Sequence, residues 1–441
     1  MFERLGKTEL HSICELLSPR DVARLCCASR SLLCVCSDDF LWSIFCMRTW
    51  LLAEPAGPDG RESSATQGAP SRFHAAYGAW HASFGRYADL YARGYAAVAA
   101  IRKFASRLPE LSATLADGVS DEVLDSLEAK LQQPLCRPLR LVWRLIGGQV
   151  LPGPRSSRSS SAWFGLFGAI SVYDHATSMW MLSPERVPII TKIIRNGPLR
   201  LAGQMQMAVT SRPWVSFTES MGGHTLLVDA ETGDVMIVSI SAELLNAAPP
   251  EPQGDGILRW LEQFAARCSS GDIAIELADP EDSSTLCICP FPRLPPLSSD
   301  CVTNGVRVQA SAVMDPDLSM PGRGIAFVYR VRFSLLSEDE QLSRGSKVVR
   351  SVQLRNRHWV ITDGNGQTAE VSGDAVVGHH PLLTAGGPEF LYQSMTYHQG
   401  PEEGSMRGDF GFVEGCLQQP LSALFLAECA PFPLRKPAYC M

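Results

Sequence analysis

The two ends of the chain obey different periods. In residues 8–50 apolar side chains recur three and four positions apart: Leu10, Ile13 and Leu17, then Val22, Leu25 and Cys26, then Leu32, Leu33 and Cys36. That spacing marks helices with one buried face. From residue 305 onward the apolar runs are short and β-rich: VRVQASAV, IAFVYRVRFSLL, KVVRSVQL, RHWVIT, EFLYQSMTY, DFGFV and ALFLAE. Turn signals such as DGNGQ (363–367) and TAGGPE (384–389) separate most of them, which predicts an antiparallel β-sandwich. One architecture cannot satisfy both periods, so the chain reads as multidomain α+β. Its 441 residues suit about three domains.

Stretches rich in Pro, Gly and Ser at 51–71, 152–161 and 246–256 read as loops or linkers, and the Pro-rich run 289–300 as the edge of the last domain. Ser18-Pro19 with Asp21 predicts a capped helix start, and residues 5–50 a three-helix unit. A module of roughly 45 residues rarely buries enough surface alone, so part of its apolar face is expected to belong to a partner. The aromatic stretch 72–107 suggests connecting helices. SDEVLDSLEAKLQQPL places Val123, Leu124, Leu127 and Leu131 on one helical face, RPLRLVWRLI reads as a second helix ending at Gly147-Gly148, and TLLVDAETGDVMIVS as a hairpin around ETGD.

A net charge of −7 and a pI near 5.8 give no electrostatic footprint for nucleic acid or an anionic membrane. Charges at Glu3, Arg4 and Lys7 argue against a secretory leader, and no later run has the ~18 apolar residues of a spanning helix. An intracellular chain with reduced thiols and no lipid anchor is expected, cytoplasmic and/or nuclear. Four cysteines crowd LCCASRSLLCVCSDDFLW: Cys26, Cys27, Cys34 and Cys36. Structural zinc wants paired ligands with two to four residues between them and a second pair or histidines to close the tetrahedron, which adjacent Cys26-Cys27 and Cys34-Val35-Cys36 fit poorly. Helix-packing thiols are the better reading, with no metal and no cofactor.

The segment LGKTELHSICELLSPRDVARLCCASRSLLCVCSDDFLWSIFCMRTW, residues 5–50, resembles an F-box, with Leu5-Gly6 where that family has Leu-Pro. The resemblance implies docking onto a Skp-family adaptor, and through it a cullin ubiquitin ligase scaffold, by Leu5, Leu10, Ile13, Leu17, Pro19, Leu25 and Trp42. Residues 116–245 resemble a SUKH (SMI/KNR-like) domain of mixed α/β structure through SDEVLDSLEAKL, LRLVWRLIGGQ, FGLFGAISVYDH and VDAETGDVMIV. Residues 300–437 resemble ApaG, an immunoglobulin- or fibronectin-like sandwich, through VQLRNRHWVITDGNGQ, VSGDAVVGHHPLL, a turn at Gly404-Ser405-Met406-Arg407-Gly408, and APFPLRKP. Residues 51–115 and 246–299 then read as linkers and connecting segments. The order is similar to that of the F-box–ApaG proteins of animals and plants.

The chemistry is weighed against packing. For His358-Trp359, His379-His380 and Asp363, proximity in sequence alone supplies neither a nucleophile and base within hydrogen-bond reach nor three metal ligands around an open position, so turn and strand packing is the better reading. Gly364-Asn365-Gly366 lacks a following helix and reads as a hairpin turn; Asp174-His175 reads as a structural pair. The expected function is a non-catalytic substrate receptor of an SCF-type ubiquitin ligase acting on an unknown protein. Its sandwich loops would read the target through Asp363, Asn365, His379, His380 and Arg407. A small ligand of the sandwich, a nucleotide or divalent metal, that gates recognition is the alternative; a hydrolase is a distant third.

Overall fold

Short polar caps decide how the N-terminal segment breaks. Ser18 Oγ accepts the Asp21 N–H, Ser29 Oγ that of Leu32, and the Asp38 carboxylate that of Phe40. Each satisfies a donor that the helix start leaves open. The result in the computed structural model is four helices, Lys7–Leu16, Pro19–Leu25, Arg30–Cys36 and Asp39–Trp50. The three-helix expectation misses the last, because the Asp38 cap falls in a polar run that reads as loop. The structure describes residues 5–61, 71–150, 163–196, 212–221, 223–238, 245–246, 255–281, 285–320, 322–400 and 403–436. The breaks read at 152–161 and at most of 246–256 lie outside them, as do residues 62–70 of the first.

The chain divides into two compact units, one of Met1–Ala97 with Arg140–Val142, the other of Val98–Leu139 with Trp143–Met441. In the first, Leu10, Cys14, Val22, Leu32, Val35, Cys36, Leu41, Trp42 and Phe45 form the core. The helix Arg72–Phe84, capped by Ser71, completes it rather than merely connecting. Trp42 lies 4.0 Å from the His74 ring and 5.2 Å from Tyr77, and Trp50 meets Tyr77, Trp80 and Tyr91. Buried Arg140 donates to the Tyr87 hydroxyl.

In the second unit the helix Asp121–Leu131 buries Leu124, Leu127 and Leu131, while Val123 is exposed. The helix Arg137–Leu145 runs into a strand, Ile146–Gln149, paired with Leu115–Asp117. Gly147-Gly148 are therefore strand residues and not a helix end: a Cβ on Gly147 would stand 2.3 Å from the Asp117 carbonyl oxygen. The hairpin Thr225–Asp229/Val235–Val238 closes as its sequence predicts, with Asp229 accepting the N–H groups of Glu231 and Thr232. A second hairpin, Ala169–Val172/His175–Met181, turns on Tyr173 and Asp174 with Tyr173 at φ +52°. Within 246–299 stand a helix, Gly256–Ser270, and a strand pair, Ala274–Leu277/Leu286–Cys289.

The C-terminal part is a β-sandwich. One sheet has the order Ser298–Thr303, Val306–Met320, Gly324–Leu335, Phe390–His398; the other is built on Ser351–Thr362 and Gly404–Cys416, flanked by Thr368–Asp374, Leu382–Thr384 and Phe425–Leu434. SVQL, the end of KVVRSVQL, and RHWVIT thus join in one strand with an irregularity between Leu354 and Asn356. The segment 404–408 is strand, not turn. Aromatic rings fill the interior: Phe333 on Phe410 at 4.6 Å, Trp359 on Phe410 at 5.2 Å and Tyr329 on Trp359 at 5.6 Å. Tyr329, Val331 and Phe333 point into this core, so the even-numbered Val328, Arg330 and Arg332 face the other way. There Val328 packs with Ile170, Val172, Cys289 and Phe291, which joins the sandwich to the middle region.

Candidate functional site

Two surfaces are candidates for function. The first is on the helical unit, whose core is closed yet leaves large apolar groups in water: Leu16 is 86% exposed, Phe40 63%, Leu33 48% and Met47 48%. Phe40 stacks on His11, which bonds to Glu15, and Arg48 donates to the Glu15 and Leu17 carbonyls at the end of the first helix. This end is thereby fixed, and Leu16 projects from ordered backbone. Of the expected docking residues, Leu10 and Trp42 are in the core, with Trp42 Nε1 donating to the Cys36 carbonyl at 2.7 Å. Leu5, Ile13, Leu17, Pro19 and Leu25 are half-buried. Gly6 starts the first helix by donating its N–H to the Glu9 carboxylate, which supplies the start that proline gives elsewhere. The clustered cysteines scatter: Cys36 is buried against Cys14, with Sγ atoms 3.9 Å apart, while Cys27 and Cys34 are exposed. Burial, with the neighbouring Cys14 adding to it, pushes the Cys36 thiol up to about 12, so it stays protonated.

The second surface is a groove of about 350 Å³ where the middle region meets the sandwich, lined in part by Tyr173, Asp279, Glu281, His379, Phe390 and Tyr392. The hairpin turn holds Tyr173 outward, and its hydroxyl bonds to Ser394 Oγ at 2.7 Å. Gln393 Nε2 donates to the Ser171 carbonyl and Ser171 Oγ to Asp279, closing the floor. His379 Nε2 stands 3.6 Å from a Glu281 carboxylate oxygen, beside the Phe390 ring. Among the described residues no hydroxyl or thiol bonds to His379, and the groove presents carboxylates and ring faces.

Beneath the groove a buried ion network ties the regions together. Arg330 and Arg332, 1% and 4% exposed, each reach Glu276 Oε2 at 2.6 Å, and Arg293 reaches Oε1 at 3.3 Å. Burial alone would raise the Glu276 carboxyl; Arg332 and Arg330 outweigh it and hold it near 2.

Residues 321–414 match the family model of the ApaG domain. Over its whole length the chain is similar to the F-box protein SKIP16 of Arabidopsis thaliana, 32% identical with 99% of each chain covered. The chain belongs to the F-box–ApaG family. It is also 25% identical to F-box only protein 3 of Homo sapiens, over 87% of this chain and 73% of that one, and 38% identical to the protein ApaG of Anaeromyxobacter dehalogenans, over 32% and 96%. A solved structure, the putative ApaA protein from Bordetella pertussis, is 30% identical over 30% of this chain and 94% of its own, with a TM-score of 0.25.

In this F-box–ApaG chain the five expected target-reading residues do not converge: His379 alone lines the groove. Asp363 and Asn365 form the tip of the Ser351–Thr362/Thr368–Asp374 hairpin, where the Asp363 carboxylate accepts the N–H groups of Asn365 and Gln367. Those bonds, the Gln367 one foremost, hold the Asp363 carboxyl below its usual range. His380 is committed to the Leu354 carbonyl, and Arg407 is exposed on a strand opposite Val360. Sequence reasoning missed Tyr173, Asp279 and Glu281. The signal for Tyr173 was the two-residue turn in VYDH; the other two follow a strand that the sequence hid in a connecting segment.

Proposed function

We propose that this F-box–ApaG chain is a substrate receptor of an SCF-type ubiquitin ligase. The helical unit docks on a Skp-family adaptor, and through it on a cullin scaffold in the cytoplasm or nucleus, while the second unit, a SUKH-like region and the ApaG sandwich, presents the protein to be ubiquitylated. The observation that carries the reading is the exposed apolar set on a unit with a closed core, because Leu16, Phe40, Leu33 and Met47 stay largely in solvent, Phe40 even though it stacks on His11. Half-buried Leu5, Ile13, Leu17, Pro19 and Leu25 form the rest of the docking surface, and Leu10 and Trp42 support it from beneath. The groove at Tyr173, Asp279 and His379 is the proposed target-reading surface, and the chain is non-catalytic. The test is capture of the full chain on an immobilised Skp-family adaptor. Ile13→Asp abolishes capture if the reading is right; capture at wild-type strength by folded Ile13→Asp protein overturns it.

A further inference from the structure

A second cluster of titratable groups lies at the seam between the middle region and the sandwich, and neither the groove nor the helical unit uses it. The long strand Val306–Met320 loses its pairing register between Asp315 and Met320. Fully buried Asp315 fixes that irregular turn by accepting the N–H groups of Asp317 (2.8 Å) and Leu318 (3.2 Å) on Oδ1. Its Oδ2 is 3.1 Å from His175 Nε2. Asp317 Oδ2 is 2.6 Å from Nδ1 of buried His224, which Ser220 Oγ also approaches at 3.2 Å. One ligand atom from each of His175, Asp315 and Asp317 lies within 4.8 Å of the others.

A buried hydroxyl lies beside the same cluster. Thr177 follows His175 by two positions on the same strand, so both project from one face. Thr177 is 5% exposed and its hydroxyl has no hydrogen-bond partner among the described residues; together with His224 and Asp315 it lines a small cavity. A buried hydroxyl without a partner is uncommon because its desolvation goes uncompensated.

We propose that His175, Asp315 and Asp317 bind a divalent transition cation of the zinc type, with His224 orienting Asp317 and the Thr177 hydroxyl bonding to a water on the ion. An imidazole with two carboxylates is a set that suits zinc or manganese, whereas magnesium and calcium prefer oxygen alone. The outer contacts are of the kind that ligands need, with backbone N–H groups on Asp315 and an imidazole on Asp317. The histidines come from the middle region and the aspartates from the sandwich, so the ion clamps the two. The sequence reading takes Asp174-His175 as a structural pair, expects no resident metal and keeps a divalent metal only as an alternative ligand of the sandwich. His175 and Asp315 stand 140 positions apart, and no spacing rule joins them.

The test uses the full chain after treatment with chelator. Zinc is titrated in competition with a chromophoric chelator, and cobalt is added separately for its visible spectrum. The expected result is one equivalent of zinc per chain and a raised melting temperature. Cobalt should give ligand-field bands without the near-ultraviolet charge-transfer bands of thiolate. His175→Gln and Asp317→Asn should each weaken affinity at least tenfold, and serine at Cys26, Cys27, Cys34 and Cys36 should leave it unchanged. No stoichiometric uptake by the wild type, thiolate bands, or unchanged affinity in both variants overturns the proposal and leaves two imidazole–carboxylate pairs. If the variants fail to fold, the cobalt spectrum of the wild type still decides.

Discussion

The helical unit and the seam between the middle region and the sandwich solve opposite problems. The helical unit buries rings and thiols and leaves Leu16 and Phe40 in water; the seam buries Arg330, Arg332 and Asp315 and leaves the Glu276 side chain only 14% exposed, under cover that the same chain provides. An internal joint can hold buried charge because both partners are always present. A docking surface for a separate protein must tolerate standing empty, and solvated apolar side chains do so at little penalty. The two regions should therefore break differently.

The largest effect is expected at the seam. Glu276→Gln removes the counter-charge of three arginines, two of them nearly inaccessible. An uncompensated buried charge costs about 3–5 kcal/mol. Chemical unfolding of the full chain should show that loss in the transition of the second unit. A change under about 1 kcal/mol, the ordinary range for surface substitutions and small defects, would mean that water already screens the network.

Acid attacks the same point. The Glu276 carboxyl drops from the ordinary 4.5 to about 2 on folding. A depressed carboxylate stabilises the fold above its unfolded value, and that contribution disappears as the pH falls from about 4.5 to about 2. The shift corresponds to about 3 kcal/mol. Unfolding midpoints across that window should fall steeply for the wild type and less for Glu276→Gln. Equal slopes would remove Glu276 from the account.

The contrast also explains what could be read beforehand. Turn chemistry is local, so ETGD announced its hairpin and the alternating runs announced the sandwich. The seam is not local: Arg330 and Glu276 are 54 positions apart, and in IAFVYRVRFSLL the outward arginines look like the solvent face of a strand. Likewise nothing in RFHAAYGAWHASF says that Tyr77 will cover Trp42, so the size argument assigned to a partner apolar surface that the chain itself covers. The docking expectation looked for surplus apolar surface; of its residues Leu10 and Trp42 lie in the core, and exposed Leu16 and Phe40 are not among them.

A smaller effect is expected inside the helical unit. Ser29→Ala removes the bond from Leu32 N–H to Ser29 Oγ that starts the third helix, and a lost cap costs about 1 kcal/mol. The first unit's melting temperature should drop by a few degrees with adaptor capture retained. Loss of capture without a change in melting would place Ser29 on the docking surface itself.

The smallest effect on stability should accompany a complete loss of binding. Leu16 and Phe40 are 86% and 63% exposed, so Leu16→Asp with Phe40→Asp gives up little buried area, and surface changes of this kind usually stay within about 0.5 kcal/mol. Phe40 does stack on His11, a contact that the substitution puts at risk, and Phe40→Leu serves as its control. At the adaptor, two carboxylates in place of apolar anchors would be buried without partners, an outcome that docking cannot absorb. Unfolding of the double variant should match the wild type while capture on the adaptor disappears. Unchanged capture would shift docking to other residues of the unit, and a large loss of stability would show that the exposed set is internal structure after all, which would erase the distinction between the two regions.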